Sequence, residues 1–240
     1  TYNLFREDNE KCFPYMVAIE MIHNFSLIHD DLPGIDNDDF RHGKPTLHKI
    51  YNESTAILTG DRLLNYAYIV LINNLAIDDR DRDIKIRAIK ELTNATDRMI
   101  IGEYIDTEYE GKPISNDYLE YMHRNKTGAL LKAAVRIGAI LAECPEEDLG
   151  RLTRYAESIG LAFQIKDDIL SEIGTEEELG KPVGNDREKG KCTYVTKYGL
   201  DNAKNMLHEE IKKAISEINI FGDKAMFLIE LAHYIENRKK

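Results

Sequence analysis

Five of the ten residues from Asp30 to Asp39 are aspartates: Asp30, Asp31, Asp36, Asp38 and Asp39. Carboxylates packed this densely repel one another unless cations sit among them, and the repulsion is least screened where water is scarce. These aspartates follow directly on the apolar segment Met16–Ile28. They therefore read as a cation site at a helix end rather than a solvated turn. Pro33 disfavours helical geometry at Leu32, which predicts a helix end or kink beside Asp31. Gly34 then lets the chain turn back. On a straight helix Asp36 would point away from Asp30, six positions earlier. The Pro-Gly distortion can bring it round to the same metal.

A second pair, Asp167-Asp168, closes an amphipathic stretch whose apolar positions include Leu152, Tyr155, Ala156, Ile159, Ala162 and Phe163. Asp167 and Ser171 are i, i+4 neighbours on one helical face. Hard oxygen donors suit Mg²⁺, which keeps several waters and is usually completed by substrate phosphates. No His/Cys constellation competes for a softer metal. Basic residues accompany both clusters: Arg41-His42-Gly43-Lys44-Pro45-Thr46 after the first, Gly180-Lys181-Pro182 after the second, and Lys126-Thr127-Gly128 between them. In an acidic chain, this pairing suggests a phosphate bridged by metal on one side and gripped by Lys or Arg on the other.

The elements that must hold these groups read as helices. Apolar residues recur at helical spacing over Ala56–Leu75, Ile84–Ile101, Arg151–Leu170 and Ala203–Ile218. Ala129–Leu141 is apolar nearly all round, so it is expected as a central buried helix. Alternating strand patterns are missing, apart from short ambiguous pieces such as Cys192–Val195. The run DDRDRD at Asp78–Asp83 reads as a solvated loop between two helices. No linker, repeat or low-complexity tract divides the chain, so one all-α domain over residues 1–240 is expected.

Composition narrows the function. Of 240 residues, 32 are Lys or Arg and 43 Asp or Glu, a net charge of −11. That acid excess argues against a nucleic-acid partner, whose phosphates need a basic face. No apolar run approaches the ~20 residues of a membrane span, so no stable membrane insertion is expected. Three cysteines without a CxxC pair read as reduced thiols in a cytoplasmic protein. The chain opens as if in mid-helix and without Met, so N-terminal helices are expected to precede it.

The string HDDLPGIDNDDFRHGKPT resembles the first aspartate-rich motif of the trans-prenyl diphosphate synthases. FQIKDDIL, with LGKPVGND and KCTYV downstream, is similar to their second motif region. HRNKTGALL resembles their Lys-Thr element, and GEYID their Gly-Gln-x-x-Asp element. The landmarks appear in the family's order. The resemblance implies an all-α, single-domain helical bundle of the isoprenoid synthase type around a deep central cavity, usually in a homodimer. It also implies Mg²⁺-dependent condensation of isopentenyl diphosphate with an allylic diphosphate, dimethylallyl or geranyl.

Carried over residue by residue, the resemblance places Asp30, Asp31 and Asp36 on one side of the metals and Asp167 and Asp168 on the other. Arg41, Lys126 and Lys181 would neutralise the allylic diphosphate. Oxygens of Thr127 and Gln164 would face the allylic cation. His23 and His42 would contact isopentenyl diphosphate, His42 standing where the family usually carries a second arginine. Glu103 replaces the usual Gln, and Ser171 the third aspartate of the second motif. Phe25, with Ser26 beside it, would set product length, and the Pro33-Gly34 insertion accompanies such an aromatic in synthases that stop at farnesyl diphosphate. Geranylgeranyl diphosphate synthesis, a related terpene cyclase and a non-catalytic subunit that modulates a partner synthase are the alternatives.

Overall fold

A computed structural model of the chain describes residues 1–75, 79–173 and 192–239. The fold is all-α, as the periodicity predicts. Two short 3-10 turns lead into α1 (Phe13–Asp30), and α2 (Leu47–Ile50), α3 (Glu53–Asn73), α4 (Asp79–Glu108) and α5 (Asn116–Lys126) follow. After them come α6 (Gly128–Leu141), α7 (Glu146–Ile173), α8 (Tyr194–Tyr198), α9 (Leu200–Ile218) and α10 (Met226–Asn237). Local chemistry sets several of the ends. The Asn52 side chain accepts the Thr55 N–H at the start of α3, and Ser115 accepts the Tyr118 N–H at the start of α5. Glu146, Glu147 and Asp148 complement the positive end of α7.

Helix α7 is the axis of the packing, with α9 and α6 against it; α4 lies on α6 and α5, and α1 pairs with α3. The apolar stripe read along α7 is the reason: Leu152, Tyr155, Ala156 and Ala162 are wholly buried. One contiguous core runs from Tyr2 to Ile235. Burying each large apolar side chain stabilises the fold by about 1.5–3 kcal/mol. Polar ends of core aromatics are satisfied across helices. Tyr155 donates to the Leu228 carbonyl of α10 at 2.9 Å, and Tyr15 of α1 donates to the Lys85 carbonyl of α4 at 3.1 Å. Among the described residues no helix is long and apolar enough to cross a membrane.

Three local readings are decided by the structure. Asp79–Asp83 opens α4 rather than forming a loop, and Asp78 lies outside the described residues. Acidic residues suit a helix N-terminus, and Asp81 pairs with Lys85 one turn on and with Lys11 of the 3-10 turn that precedes α1. The ambiguous stretch Cys192–Val195 caps and starts α8: Thr193 and Thr196 each accept the other's backbone N–H through their hydroxyls. Third, a two-stranded hairpin pairs Phe40–Arg41 with Lys44–Pro45. Its two-residue turn puts His42 at φ 51° and Gly43 at φ 73°. Both central residues with φ > 0 match the turn whose twist suits a hairpin.

His123, on α5, is buried and stacks on Tyr194 of α8 with ring centroids 5.4 Å apart. Neither ring nitrogen has a hydrogen-bond partner among the described residues. Burial pushes the imidazole down to about 4, against the pull of Asp106 on α4 and with Lys126 adding to the depression. The unfolded chain, with a histidine near 6.5, thus binds more protons than the native one between pH 6.5 and 4. Stability is therefore lost as pH falls through that window, by an amount on the order of 3 kcal/mol. Thermal melts of wild type and His123→Leu should diverge below pH 6.5, the variant losing less. Parallel melts down to pH 4 would contradict this.

Candidate active site

The first aspartate cluster forms where α1 stops. Asp30 is the last residue of α1, and Leu32 N–H bonds back to the His29 carbonyl. The turn across Pro33 and Gly34 returns Asp36 N–H to the Asp30 carbonyl at 2.9 Å, so Asp36 is brought beside Asp30 as the Pro-Gly reading requires. The left-handed residue of this turn is Asn37, at φ 52°, and not Gly34. Burial lifts the Asp30 carboxyl well above the usual carboxylate range, and Glu103 and Asp36 add repulsion. Asp31 is buried and receives Arg41, whose Nε and Nη2 reach one carboxylate oxygen at 2.8 and 2.6 Å.

The junction of α5 and α6 carries the next groups. Gly102 lets α4 lie directly on this junction, because a methyl group there would collide with the Lys126 backbone. One turn further along α4, Asp106 takes the Lys126 ammonium at 2.6 Å, and Glu103 takes it at 2.7 Å. Burial disfavours that ammonium, but Asp106, Glu103 and Asp30 outweigh it and hold it firmly protonated. Thr127, the next residue, turns the other way. Its hydroxyl donates to Gln164 Oε1 at 2.8 Å, and Gln164 Nε2 donates to Asp168 at 2.9 Å. The second Asp168 oxygen accepts the Tyr194 N–H at 2.7 Å. Two consecutive residues thus reach the surroundings of both aspartate clusters.

On α7, Asp168 is buried while the Asp167 side chain is 41% exposed. Asp167 is paired with Arg238, just beyond α10. Ser171 is buried on the same helix.

Residues 1–226 match the family described as Polyprenyl synthetase. The chain belongs to that family. The synthase is 44% identical over 230 residues to a geranylgeranyl diphosphate synthase of Cyanophora paradoxa, an overlap of 95% of this chain and 77% of that one. It is 43% identical over 233 residues to the farnesyl diphosphate synthase of Escherichia coli (strain K12), covering 93% and 76%. A geranyltransferase from Helicobacter pylori, crystallised with magnesium and isoprenyl diphosphate, superposes with a TM-score of 0.82 at 29% identity, over 98% of this chain and 81% of that one. The synthase is thus a prenyltransferase of the trans-prenyl diphosphate type.

Elsewhere the synthase places its sequence-predicted residues as follows. Phe25 is buried in the core, its ring 4.8 Å from that of His29 in an edge-on contact. Ser26 donates its hydroxyl to the His23 carbonyl of its own helix, and the His23 side chain is exposed. His42 sits exposed at the hairpin tip. Lys181 lies outside the described residues. Sequence reasoning missed three groups: the Glu103–Lys126–Asp106 pairing, the His29 support of Phe25, and Arg238. Glu103 and Asp106 stood inside a recognised motif, so their spacing was a usable signal. Arg238 gave none, because its partner is 71 positions away.

Proposed function

We propose that this chain makes farnesyl diphosphate by joining isopentenyl diphosphate to dimethylallyl and then geranyl diphosphate, with Mg²⁺ as cofactor. The observation that supports condensation chemistry best is the Lys126–Thr127 junction, whose two side chains serve the two aspartate clusters separately. The donor set fits Mg²⁺. The clusters offer only carboxylate oxygens, and Asp30 is a half-buried carboxylate pressed by Glu103 and Asp36, a position that a divalent cation would relieve. Among the described residues no three acidic, His or Cys side chains converge to hold a metal. Phosphate oxygens and water would therefore complete the shell.

In this reading Asp30, Asp31 and Asp36 hold metal on one side, and Asp167 with Asp168 on the other. When bound, Mg²⁺ supplies Lewis-acid neutralisation of the departing diphosphate. Lys126 adds positive charge at a place set by Asp106 and Glu103, and Arg41, held by Asp31, stands with it; Lys181 is the third cation of the proposal. Loss of diphosphate leaves an allylic cation, which must be kept from water. Thr127 spends its proton on Gln164, so its lone pairs are left for developing positive charge, and Asp168 fixes the Gln164 amide. His23 and His42 are proposed to orient isopentenyl diphosphate. Its double bond attacks, a carbon–carbon bond forms, and the departed diphosphate takes the proton, so no protein base is needed.

Termination at fifteen carbons rests on Phe25. The 44% identical geranylgeranyl synthase of Cyanophora paradoxa favours a second reading, a twenty-carbon product. Purified protein, Mg²⁺, radiolabelled isopentenyl diphosphate and a panel of allylic primers separate the two. A dominant farnesyl product is expected, mainly geranylgeranyl product would establish the second reading, and turnover in excess chelator would overturn the metal assignment.

We also propose a homodimer. Leu58, Tyr66, Ile69 and Ile72 form an exposed apolar stripe on α3, with Ile100 and Tyr104 exposed on α4. Such a stripe is expensive to leave in water. Sedimentation should give twice the chain mass, and a monomer at micromolar concentration would refute it.

A further inference from the structure

Arg238 is built into the second aspartate site. Its guanidinium lies over the Phe163 ring at 4.2 Å, donates to the Phe163 carbonyl at 3.3 Å and pairs with Asp167. Its side chain is only 10% exposed. The segment carrying it is anchored to the same stretch of α7, because Lys166 donates to the Glu236 carbonyl at the end of α10 at 2.8 Å. The Arg238 Nε, however, is buried with no hydrogen-bond partner among the described residues. A guanidinium with one N–H desolvated and unanswered is held mainly by its carboxylate and the ring face beneath it.

We propose that Arg238 is a tethered counter-cation that occupies Asp167 in the metal-free enzyme and must leave that oxygen when metal binds. The inference rests on the reading of Asp167 as a metal carboxylate. Arg238 and a divalent ion compete for the same oxygen of Asp167 and repel each other at close range, so the two exchange at that oxygen. The exchange is short, since Arg238 lies just past the end of α10, and the orphaned Nε lowers what the resting seat offers. Arg238 is thus a positioning residue that sets how much metal is needed to load the second site, and it keeps Asp167 neutralised in the metal-free state.

The test is binding of Mn²⁺ alone, standing in for Mg²⁺, read from the electron paramagnetic resonance signal of the free ion. Wild type, Arg238→Met, Asp167→Asn and the double variant are compared, with circular dichroism to confirm the fold. Methionine keeps an apolar stem over Phe163 and removes the charge; Arg238→Gln is the second variant should the first not fold. Arg238→Met is expected to lower the half-saturating metal concentration about three- to tenfold, as removal of a competing cation requires. Asp167→Asn should raise it, and in that background Arg238→Met should change nothing further. Unchanged or weaker metal binding in Arg238→Met, with Asp167→Asn impaired, overturns the counter-cation. Unimpaired binding in Asp167→Asn overturns the metal reading of Asp167, and the proposal with it.

Discussion

Replacing Asp30 or Asp167 with alanine is expected to cut kcat by at least about a thousandfold, equivalent to ~4 kcal/mol of transition-state stabilisation. Each change removes one of the carboxylates proposed to neutralise the leaving diphosphate through metal. The two variants should differ in stability, which separates lost chemistry from lost fold. Asp30 is half-buried, and desolvation and Glu103 raise its carboxyl, so its removal relieves repulsion while Lys126 keeps Asp106 and Glu103. Its melting temperature should hold or rise. Asp167→Ala instead strips Arg238 of its carboxylate. Because Asp167 is 41% exposed, that loss should stay near 1 kcal/mol, seen as a modest drop in melting temperature. Steady-state kinetics with saturating Mg²⁺ and differential scanning calorimetry read the two effects. Turnover within tenfold of wild type in either variant would remove that carboxylate from the metal site.

The second large effect is on product length. Phe25 is 7% exposed, lies a turn and more before Asp30 on α1, and meets His29 edge-on. His29 cannot give way easily. Its Nε2 is 3.1 Å from the Ile57 carbonyl of α3, and it fills the space a side chain at Gly60 would occupy. A ring backed in this way is a stiff wall, and a growing tail that reaches it would have to overlap it in the next transition state. Phe25→Ala is therefore expected to shift product toward twenty carbons or more, with Mg²⁺ dependence unchanged and stability lower by up to ~3–5 kcal/mol, the range for emptying a packed aromatic site. Chromatography of dephosphorylated products decides it. Wild type already making mainly twenty-carbon chains, or a variant whose product length does not move, would show that Phe25 is not the ruler.

Much of this was legible in the residue order, for reasons that are local. A helix is set by near-neighbour periodicity, so α3, α6, α7 and α9 could be read directly, and Pro33 marked the end of α1 because its ring acts on the residue beside it. The return of Asp36 to Asp30 likewise spans one turn. Local rules missed the hairpin of Phe40–Arg41 with Lys44–Pro45, since two-residue strands carry no period, and misread the start of α4, since mixed charges suit a loop and a helix end alike. The aspartate clusters, the Lys-Thr pair and the family they resemble were therefore determined by sequence alone. Tertiary structure decided what each charged group faces. Lys126 is shared by Glu103 and Asp106 because Gly102 brings α4 onto the α5–α6 junction, Thr127 meets Gln164 across 37 positions, and Arg238 reaches Asp167 across 71. Such pairings depend on how helices pack, and packing angle and depth arise from side-chain shape summed over the whole core, which no window of sequence contains.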